Sequence, residues 1–245
     1  MEAISLKAQQ LFTIGSFPVT NGLVLTLVVS FILIIFSLYF RSQLKMIPGK
    51  LQGFVEMGME MLLNFMDSTL GSMEAAEKYF PLIATIFIFI WLSNLLGIFP
   101  GVGSVTFNSA SGQVPLFRSP AADLNFTLAF AVISVIVTNV IGMASVGVFK
   151  HLGKFFNFHG PIDFFIGILE LVSELAKIVS LSFRLFGNVF AGEVLMIIIS
   201  YLAAYLIPLP FLFLELFVGL IQAFIFATIT LVSISLHTSV HEEGH

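Results

Sequence analysis

Six ionisable side chains lie within or just before the long apolar tracts in the second half of the chain: Glu170, Glu174, Lys177, Arg184, Glu193 and Glu215. A charge at the centre of a bilayer costs at least ~2.5–3.5 kcal/mol, so such residues usually mark ion or substrate pathways. Carboxylates gain and lose protons, whereas a guanidinium stays charged. This combination predicts a path for protons or ions in which Arg184 acts through its fixed charge.

Helical spacing sorts these side chains into faces. At about 100° per residue, one polar stripe contains Glu170, Glu174, Lys177, Arg184 and Asn188. Glu174 and Lys177 have the spacing of a plain stabilising pair. Glu193 points away from Arg184, which has no acid three or four residues away. Arg184 therefore requires a carboxylate from Glu215 or from another protein.

A second stripe lies on the last apolar tract and contains Glu215, Gln222 and Ser233. Carboxylate, amide and hydroxyl groups on facing helices can hold a file of water, which proton conduction needs. Polar contacts that merely hold helices together are the alternative for Asn188, Gln222 and Ser233. That alternative explains Arg184 and Glu215 poorly, because such contacts do not require full charges.

The elements that carry these residues follow from composition. The 245 residues are 58% hydrophobic and 10% charged, against roughly 45–50% and ~25% in soluble domains. The net charge of −4 argues against nucleic-acid binding. No cysteine is present, so disulfides and thiolate metal sites are excluded. We predict an all-α integral membrane protein.

Five apolar tracts are long enough to cross ~30 Å of hydrocarbon as helices. We predict one transmembrane domain, residues 1–245, with membrane helices near 23–40, 80–99, 122–149, 162–207 and 210–237. The tract 162–207 contains no proline and would be roughly 70 Å long as one helix. The missing turn signal favours one long, strongly tilted helix over two short ones.

A sixth helix, near 50–69, is amphipathic, with Phe54, Met57 and Met61 at helical spacing. It suits a membrane interface or a neighbouring subunit equally well. Arg41, Lys45 and Lys50 follow the first tract, and basic residues 150–154 follow the third. Positive flanks stay in the cytoplasm, so we expect the N-terminus outside and the C-terminus inside.

Two other functions have weaker support. The tail His241–His245 matches the HExxH zinc motif, but it follows the last span and lacks a third ligand. We expect a solvated tail that includes His237, no resident metal and no cofactor.

An ion-coupled secondary transporter would also use intramembrane Arg and Glu, but internal repeats and broken helices are missing. No P-loop pattern is present, so no nucleotide site is expected.

Four motifs resemble subunit a of F-type ATP synthases, in the order of that family. They are Ser93–Pro100 (SNLLGIFP), Pro120–Asn125 (PAADLN), Ser180–Glu193 (SLSFRLFGNVFAGE) and Ile221–Phe226 (IQAFIF). The resemblance implies a stator that forms two proton half-channels against a rotating c-ring, with peripheral-stalk b subunits and lipid as further partners. It also implies that the last two helices lie nearly flat against the ring. ATP chemistry would take place on other subunits. The residues of the RLFGN and AGE motifs resemble bacterial members of the family, which suggests a bacterial inner membrane.

The resemblance assigns residue roles. Arg184 faces the ring carboxylate and blocks direct leak between the half-channels, with Asn188 in the same motif. Glu193 and Gln222 match the outside path, and Glu170 matches the cytoplasmic path, where Glu174 and Lys177 shape the mouth. Glu215 stands where some family members have histidine. Because like charges repel at close range, we expect Glu193 and Glu215 to share a proton near neutral pH.

Overall fold

The structure is a computed structural model that describes residues 8–99, 105–109, 112–155, 160–202 and 206–238. Seven α-helices and two small hairpins make up this part of the chain. The helices are α1 (Asn21–Ser42), α2 (Lys50–Leu70), α3 (Met73–Ile98), α4 (Leu124–Val146), α5 (Val148–Gly153), α6 (Pro161–Leu202) and α7 (Pro208–Thr238). Five of them, α1, α3, α4, α6 and α7, are long and apolar enough to cross a membrane. The predicted all-α membrane architecture is confirmed.

The structure also contains two antiparallel β-hairpins, which we did not predict. Strand β1 (Gln10–Ile14) pairs with β2 (Phe17–Thr20), and β3 (Thr106–Ser109) pairs with β4 (Gly112–Pro115). The first turn contains Gly15 at φ 63°, a left-handed conformation that glycine adopts without steric cost. The Phe12 and Phe107 rings lie 6.4 Å apart, so the two hairpins pack together at one end of the bundle.

Helix α2 packs one face on the bundle, where Met66 is fully buried. Its opposite face leaves Phe54, Met57 and Met61 exposed. The helix ends at Gly71, whose φ of 72° provides a left-handed cap. Helix α2 is not among the five described helices that are long and apolar enough to cross a membrane, and its location at the membrane interface or against a neighbouring subunit stays a prediction.

Most helix boundaries differ from prediction by a few residues, and two of the differences have identifiable reasons. Helix α3 begins at Met73 because the Ser72 side chain caps it by accepting a hydrogen bond from the Ala75 N–H, so its first turns precede the apolar tract. Helix α4 ends at Val146, since Gly147 at φ 94° breaks the helix before the short α5 begins.

Helix α6 is one continuous helix of 42 residues, which confirms the predicted single long element. At 1.5 Å per residue it is roughly 63 Å long, twice the thickness of the hydrocarbon core. Helix α7 follows after a short connection and runs for 31 residues.

The core lies where α3, α4, α6 and α7 meet, and its fully buried side chains include Ile90, Leu185 and Phe226. Lipid is as apolar as these side chains, so the packing of close-fitting and polar groups fixes the register of the helices. Ser134 Oγ and Thr230 Oγ1 lie 2.7 Å apart between α4 and α7. The Asn94 side chain donates to the Gly219 carbonyl at 3.0 Å and so joins α3 to α7.

Candidate functional site

Arg184 lies on an exposed face of α6, near the middle of the helix. Its Nη2 donates to Ser180 Oγ of the preceding turn at 3.1 Å. Within the part of the chain that the structure describes, no ion pair joins Arg184 to a carboxylate. The prediction that Glu215 could serve as its partner is therefore wrong, because Glu215 packs elsewhere. The other predicted partner of Arg184, an acid on another protein, remains the candidate.

Asn188 lies one turn after Arg184 and joins the exposed face of α6 to the interior of α7. Its Nδ2 donates to Gln222 Oε1 at 2.8 Å. Gln222 is 2% exposed, and its Nε2 has no partner among the described residues. A buried amide N–H needs an acceptor, which protein or water supplies. Two residues that were predicted from separate motifs thus form one polar contact.

Glu193 forms an ion pair that the sequence analysis missed. Arg118 Nη2 lies 3.3 Å from Glu193 Oε2, with the two side chains 13% and 24% exposed. The backbone of Ser119 hydrogen-bonds to the same carboxylate. Arg118 directly precedes the predicted Pro120–Asn125 motif, and a lone basic residue in an otherwise uncharged segment was the available signal.

Glu215 packs its carboxyl group against the backbone of Gly192, next to Glu193. A Cβ atom at Gly192 would lie only 2.5 Å from Glu215 Oε1. Glycine is therefore required for this close approach of α6 and α7. The arrangement brings the two acids to neighbouring positions, and their sharing of a proton stays a prediction.

A second group of polar residues lies toward the other end of α6, and we call it the Glu174 cluster: Asn139, Lys154, Glu170, Glu174, Lys177 and His237. Lys177 Nζ lies 2.9 Å from Glu174 Oε1, which confirms the predicted pair. His237 Nε2 lies 3.4 Å from the same oxygen, and Asn139 Nδ2 donates to Glu174 Oε2 at 3.2 Å. Lys154 and Glu170 pair at 3.4 Å nearer the surface.

Two histidines were misjudged from the sequence. His237, expected in a solvated tail, is 4% exposed and belongs to α7. His151, expected as an exposed basic flank, is also 4% exposed and stacks edge-on against His237 with ring centroids 5.2 Å apart. Burial lowers the pKa of His151, and the nearby charge of Lys154 acts in the same direction. His241 and His245 lie outside the described residues.

The Glu174 cluster contains three possible metal-binding atoms. Side-chain nitrogen and oxygen atoms of Glu170, Glu174 and His237 lie within 4.8 Å of one another. However, Lys154 and Lys177 already neutralise the two carboxylates. A divalent cation would meet two ammonium groups at short range, so we assign these residues to an ion-pair network.

Ser233 does not join the other predicted site residues. Its hydroxyl donates to the Ile229 carbonyl of its own helix at 2.9 Å. This intrahelical bond satisfies a buried hydroxyl without contacting Gln222 or Glu215.

The spacing of the site residues along α6 separates two charged regions. Glu174 and Glu193 are roughly 28 Å apart along the helix axis, at 1.5 Å per residue. Arg184 lies between them, about 15 Å from the first and about 14 Å from the second. A fixed positive charge therefore stands about midway along α6 between the two carboxylates.

The sequence is similar to known proteins over most of its length. Residues 23–235 match the family model described as ATP synthase A chain. ATP synthase subunit a of Campylobacter jejuni subsp. jejuni serotype O:23/36 (strain 81-176) is 36% identical over 220 residues, 89% of each chain. That of Trichlorobacter lovleyi is 35% identical over 237 residues, 96% of this chain and 94% of the relative.

The chain belongs to the ATP synthase subunit a family. It is the proton-translocating stator subunit of a membrane F0 sector and works as part of that complex. The family assignment leaves no support for the alternative of a secondary transporter. As a subunit a, it is a multi-pass membrane protein, in agreement with its five apolar helices.

Proposed function

We propose that Arg184 separates two proton half-channels in this chain and attracts the carboxylate of a neighbouring c-ring subunit. The observation that carries the proposal is an exposed guanidinium, paired with no described carboxylate, near the middle of a helix that is long and apolar enough to cross a membrane. A charge in that position requires an opposite charge from a partner. Because the guanidinium does not release its proton, it attracts the ring carboxylate without relaying protons past itself.

The outside half-channel is assigned to Glu193, Glu215, Gln222 and Asn188. The first two residues supply groups that can take up and release protons, and the amides of the other two link them to the face of Arg184. Ser93 Oγ, Asn94 Oδ1 and Gln222 Nε2 are buried polar atoms without a described partner. Such atoms favour ordered water, which carries protons between fixed side chains.

The cytoplasmic half-channel is assigned to the opposite end of α6, where Glu170 is the most exposed acid of the Glu174 cluster at 41%. Glu174 and Lys177 line the path behind it. We assign Ser233 to helix packing, because its hydroxyl bonds within α7.

The surroundings follow from the same proposal. The exposed face around Arg184 contacts the c-ring, and b subunits of the peripheral stalk and lipid cover other apolar surfaces. Basic residues after α1 and α4 support an orientation with the N-terminus outside and the C-terminus in the cytoplasm of a bacterial cell, with the chain in its inner membrane.

The test is Arg184→Ala in the complete ATP synthase, measured as ATP-driven acidification of inverted membrane vesicles. We expect pumping to be abolished while the ring and this subunit still copurify, because the side chain makes only one described hydrogen bond. Arg41→Ala, the same substitution at the end of α1, serves as the matched control and should pump normally. Normal pumping by Arg184→Ala would overturn the proposal.

A further inference from the structure

His237 is buried between two hydrogen-bond acceptors, the Thr138 carbonyl and the Glu174 carboxyl group. Its Nδ1 lies 3.2 Å from the Thr138 carbonyl oxygen, which can only accept a hydrogen bond. Nδ1 must therefore carry a hydrogen atom. Its Nε2 faces Glu174 Oε1 at 3.4 Å, and this contact is favourable only with a proton between the two atoms.

The other contacts of Glu174 show where that proton resides. Oε1 also accepts from Lys177 Nζ at 2.9 Å, and Oε2 accepts from Asn139 Nδ2 at 3.2 Å. Hydrogen bonds from an ammonium group and an amide favour the ionised form of a carboxyl group. The geometry therefore accommodates a hydrogen atom on each ring nitrogen of His237, with Nδ1 directed at the Thr138 carbonyl and Nε2 at Glu174.

His151 provides an internal contrast. Asn139 uses its Nδ2 to donate to Glu174, so its Oδ1 accepts from His151 Nε2 at 3.0 Å. His151 therefore carries its hydrogen on Nε2 and acts as a fixed neutral donor. Of the two stacked histidines, only His237 holds its proton against a carboxylate.

We propose that His237 is the proton-loading residue of the half-channel at this end of α6. The inference rests on the proposed function, and it adds a residue outside the four family-like motifs. Glu174 alone is poorly suited to this task, because Lys177 and Asn139 stabilise its ionised form. An imidazole can gain and lose a proton near neutral pH, which is the property that a relay requires.

The relay step moves one proton. The Nε2–H bond of the imidazolium breaks and the proton passes by Glu174 Oε1 to water beside the exposed Glu170 and Lys154. The neutral imidazole then takes up the proton that a ring carboxylic acid releases beside Arg184. In ATP-driven pumping both transfers run in reverse.

The charged and polar groups around His237 come from several elements. Helix α6 presents Glu174 and Glu170, with Lys177 behind them. Helix α5 presents His151, and Lys154 follows directly after it. Helix α4 presents Asn139 and the Thr138 carbonyl, and α2 approaches through the Thr69 carbonyl, which accepts from Ser235 at 3.4 Å. Glu170 pairs with Lys154, and Glu174 pairs with Lys177. The gain or loss of a proton by His237 therefore changes the net charge of the Glu174 cluster.

The test uses His237→Gln in the complete complex, with passive proton conduction through F0 measured in F1-stripped vesicles from pH 5.5 to 8.5. Gln fills similar space and can donate to the same groups, but it does not titrate. We expect conduction to fall about tenfold or more and to lose its pH dependence near neutrality. His151→Gln, the matched control, keeps a donor to Asn139 and should retain the pH profile of the unaltered protein.

A His237→Gln profile that matches the unaltered protein in rate and shape would overturn the inference. Arg184→Ala is measured in parallel: if it blocks pumping while His237→Gln conducts normally, only the role of His237 fails. If Arg184→Ala pumps, the proposed function fails instead.

A measurement on the unaltered protein covers the case in which His237→Gln does not assemble. At pH 7, nitrogen-15 NMR of the histidine-labelled complex should show His237 as a doubly protonated imidazolium. It should show His151 as a neutral ring with its hydrogen on Nε2. Finding no imidazolium among the buried histidines at that pH would overturn the inference.

Discussion

Arg118 and Glu193 illustrate how one ion pair can prepare a proton-binding group. The arginine lies in the segment before α4 and reaches the side chain of α6 at 3.3 Å. Both side chains are mostly buried, so each charge depends on the other for its stability. Under the proposed function, Arg118 influences the ease with which Glu193 gains and loses a proton.

Arg118→Gln should slow ATP-driven proton pumping by roughly tenfold, because Glu193 loses the positive charge of its ion-pair partner. Arg118→Lys retains the positive charge and should retain most of the rate. Initial rates of vesicle acidification at matched ATP concentration provide the measurement. Equal rates in Arg118→Gln and the unaltered protein would show that the pair is only structural.

Gln222→Leu should slow proton conduction without stopping it. The substitution removes the acceptor of Asn188 Nδ2 and the unpaired Nε2 donor, while it keeps the side chain's volume similar. Glu193 and Glu215 remain in place as titrating groups. The rate of passive conduction in F1-stripped vesicles checks this, with Ile221→Leu at the adjacent exposed position as control. Complete loss of conduction would contradict it.

Helices α4, α5 and α7 meet at a glycine. A Cβ atom at Gly142 of α4 would lie 2.6 Å from His151 Cε1 and 2.9 Å from His237 Cβ. Both rings are held by hydrogen bonds, so neither can move aside freely. The stacked histidines thus depend on a backbone position without a side chain.

Gly142→Ala should destabilise the protein by about 1–3 kcal/mol, the usual effect of overpacking a filled interior. A lower midpoint of thermal inactivation in detergent is the expected result. Gly58→Ala in α2 is the matched control, since nothing lies within 4 Å of its added Cβ. That control should be neutral or slightly stabilising, because alanine favours a helix. Equal midpoints in both variants would argue against tight packing at Gly142.

The long helices could be predicted from the sequence because each apolar tract exceeds the length that a bilayer requires. Their ends were harder to place, since capping by Ser72 and the break at Gly147 depend on single residues rather than on apolar length. The hairpin Gln10–Thr20 had a recognisable turn signal at Gly15, but its strands are only four and five residues long. Strands this short leave only a weak sequence pattern beside the strong pattern of the neighbouring apolar helices.

The site was only partly predictable for a different reason. Spacing within one helix identifies pairs such as Glu174 and Lys177, three residues apart. Arg118 and Glu193 are 75 residues apart, and Asn139 and Glu174 are 35 apart. Contacts of this kind depend on the register between helices, which buried polar groups and glycines set together.

The stability of the whole molecule depends on pH through His151, a buried histidine that contacts Asn139 of the Glu174 cluster. Burial lowers the pKa of His151 below the usual 6.5, aided by Lys154 and His237. The folded protein thus binds this proton more weakly than the unfolded chain. The stabilising contribution is complete above pH 6.5 and declines below it, because the unfolded chain is protonated first.

The midpoint of thermal inactivation should therefore fall as the pH is lowered from 7 to 5. His151→Gln removes the titrating group and should reduce the slope of that decline, whatever its effect on the midpoint at pH 7. Parallel slopes in the two proteins would assign the acid sensitivity to other residues.

The midway position of Arg184 on α6 has an electrical consequence. Hydrated polar ends conduct charge, so most of a transmembrane voltage falls across the insulating stretch between them. With Arg184 about 15 Å from Glu174 and about 14 Å from Glu193, that stretch is centred on the guanidinium. A potential of 100 mV corresponds to ~2.3 kcal/mol for each charge that crosses it. Under the proposed function, Arg184 therefore stands about halfway through the voltage drop, and a ring carboxylate beside it experiences about half of the membrane potential.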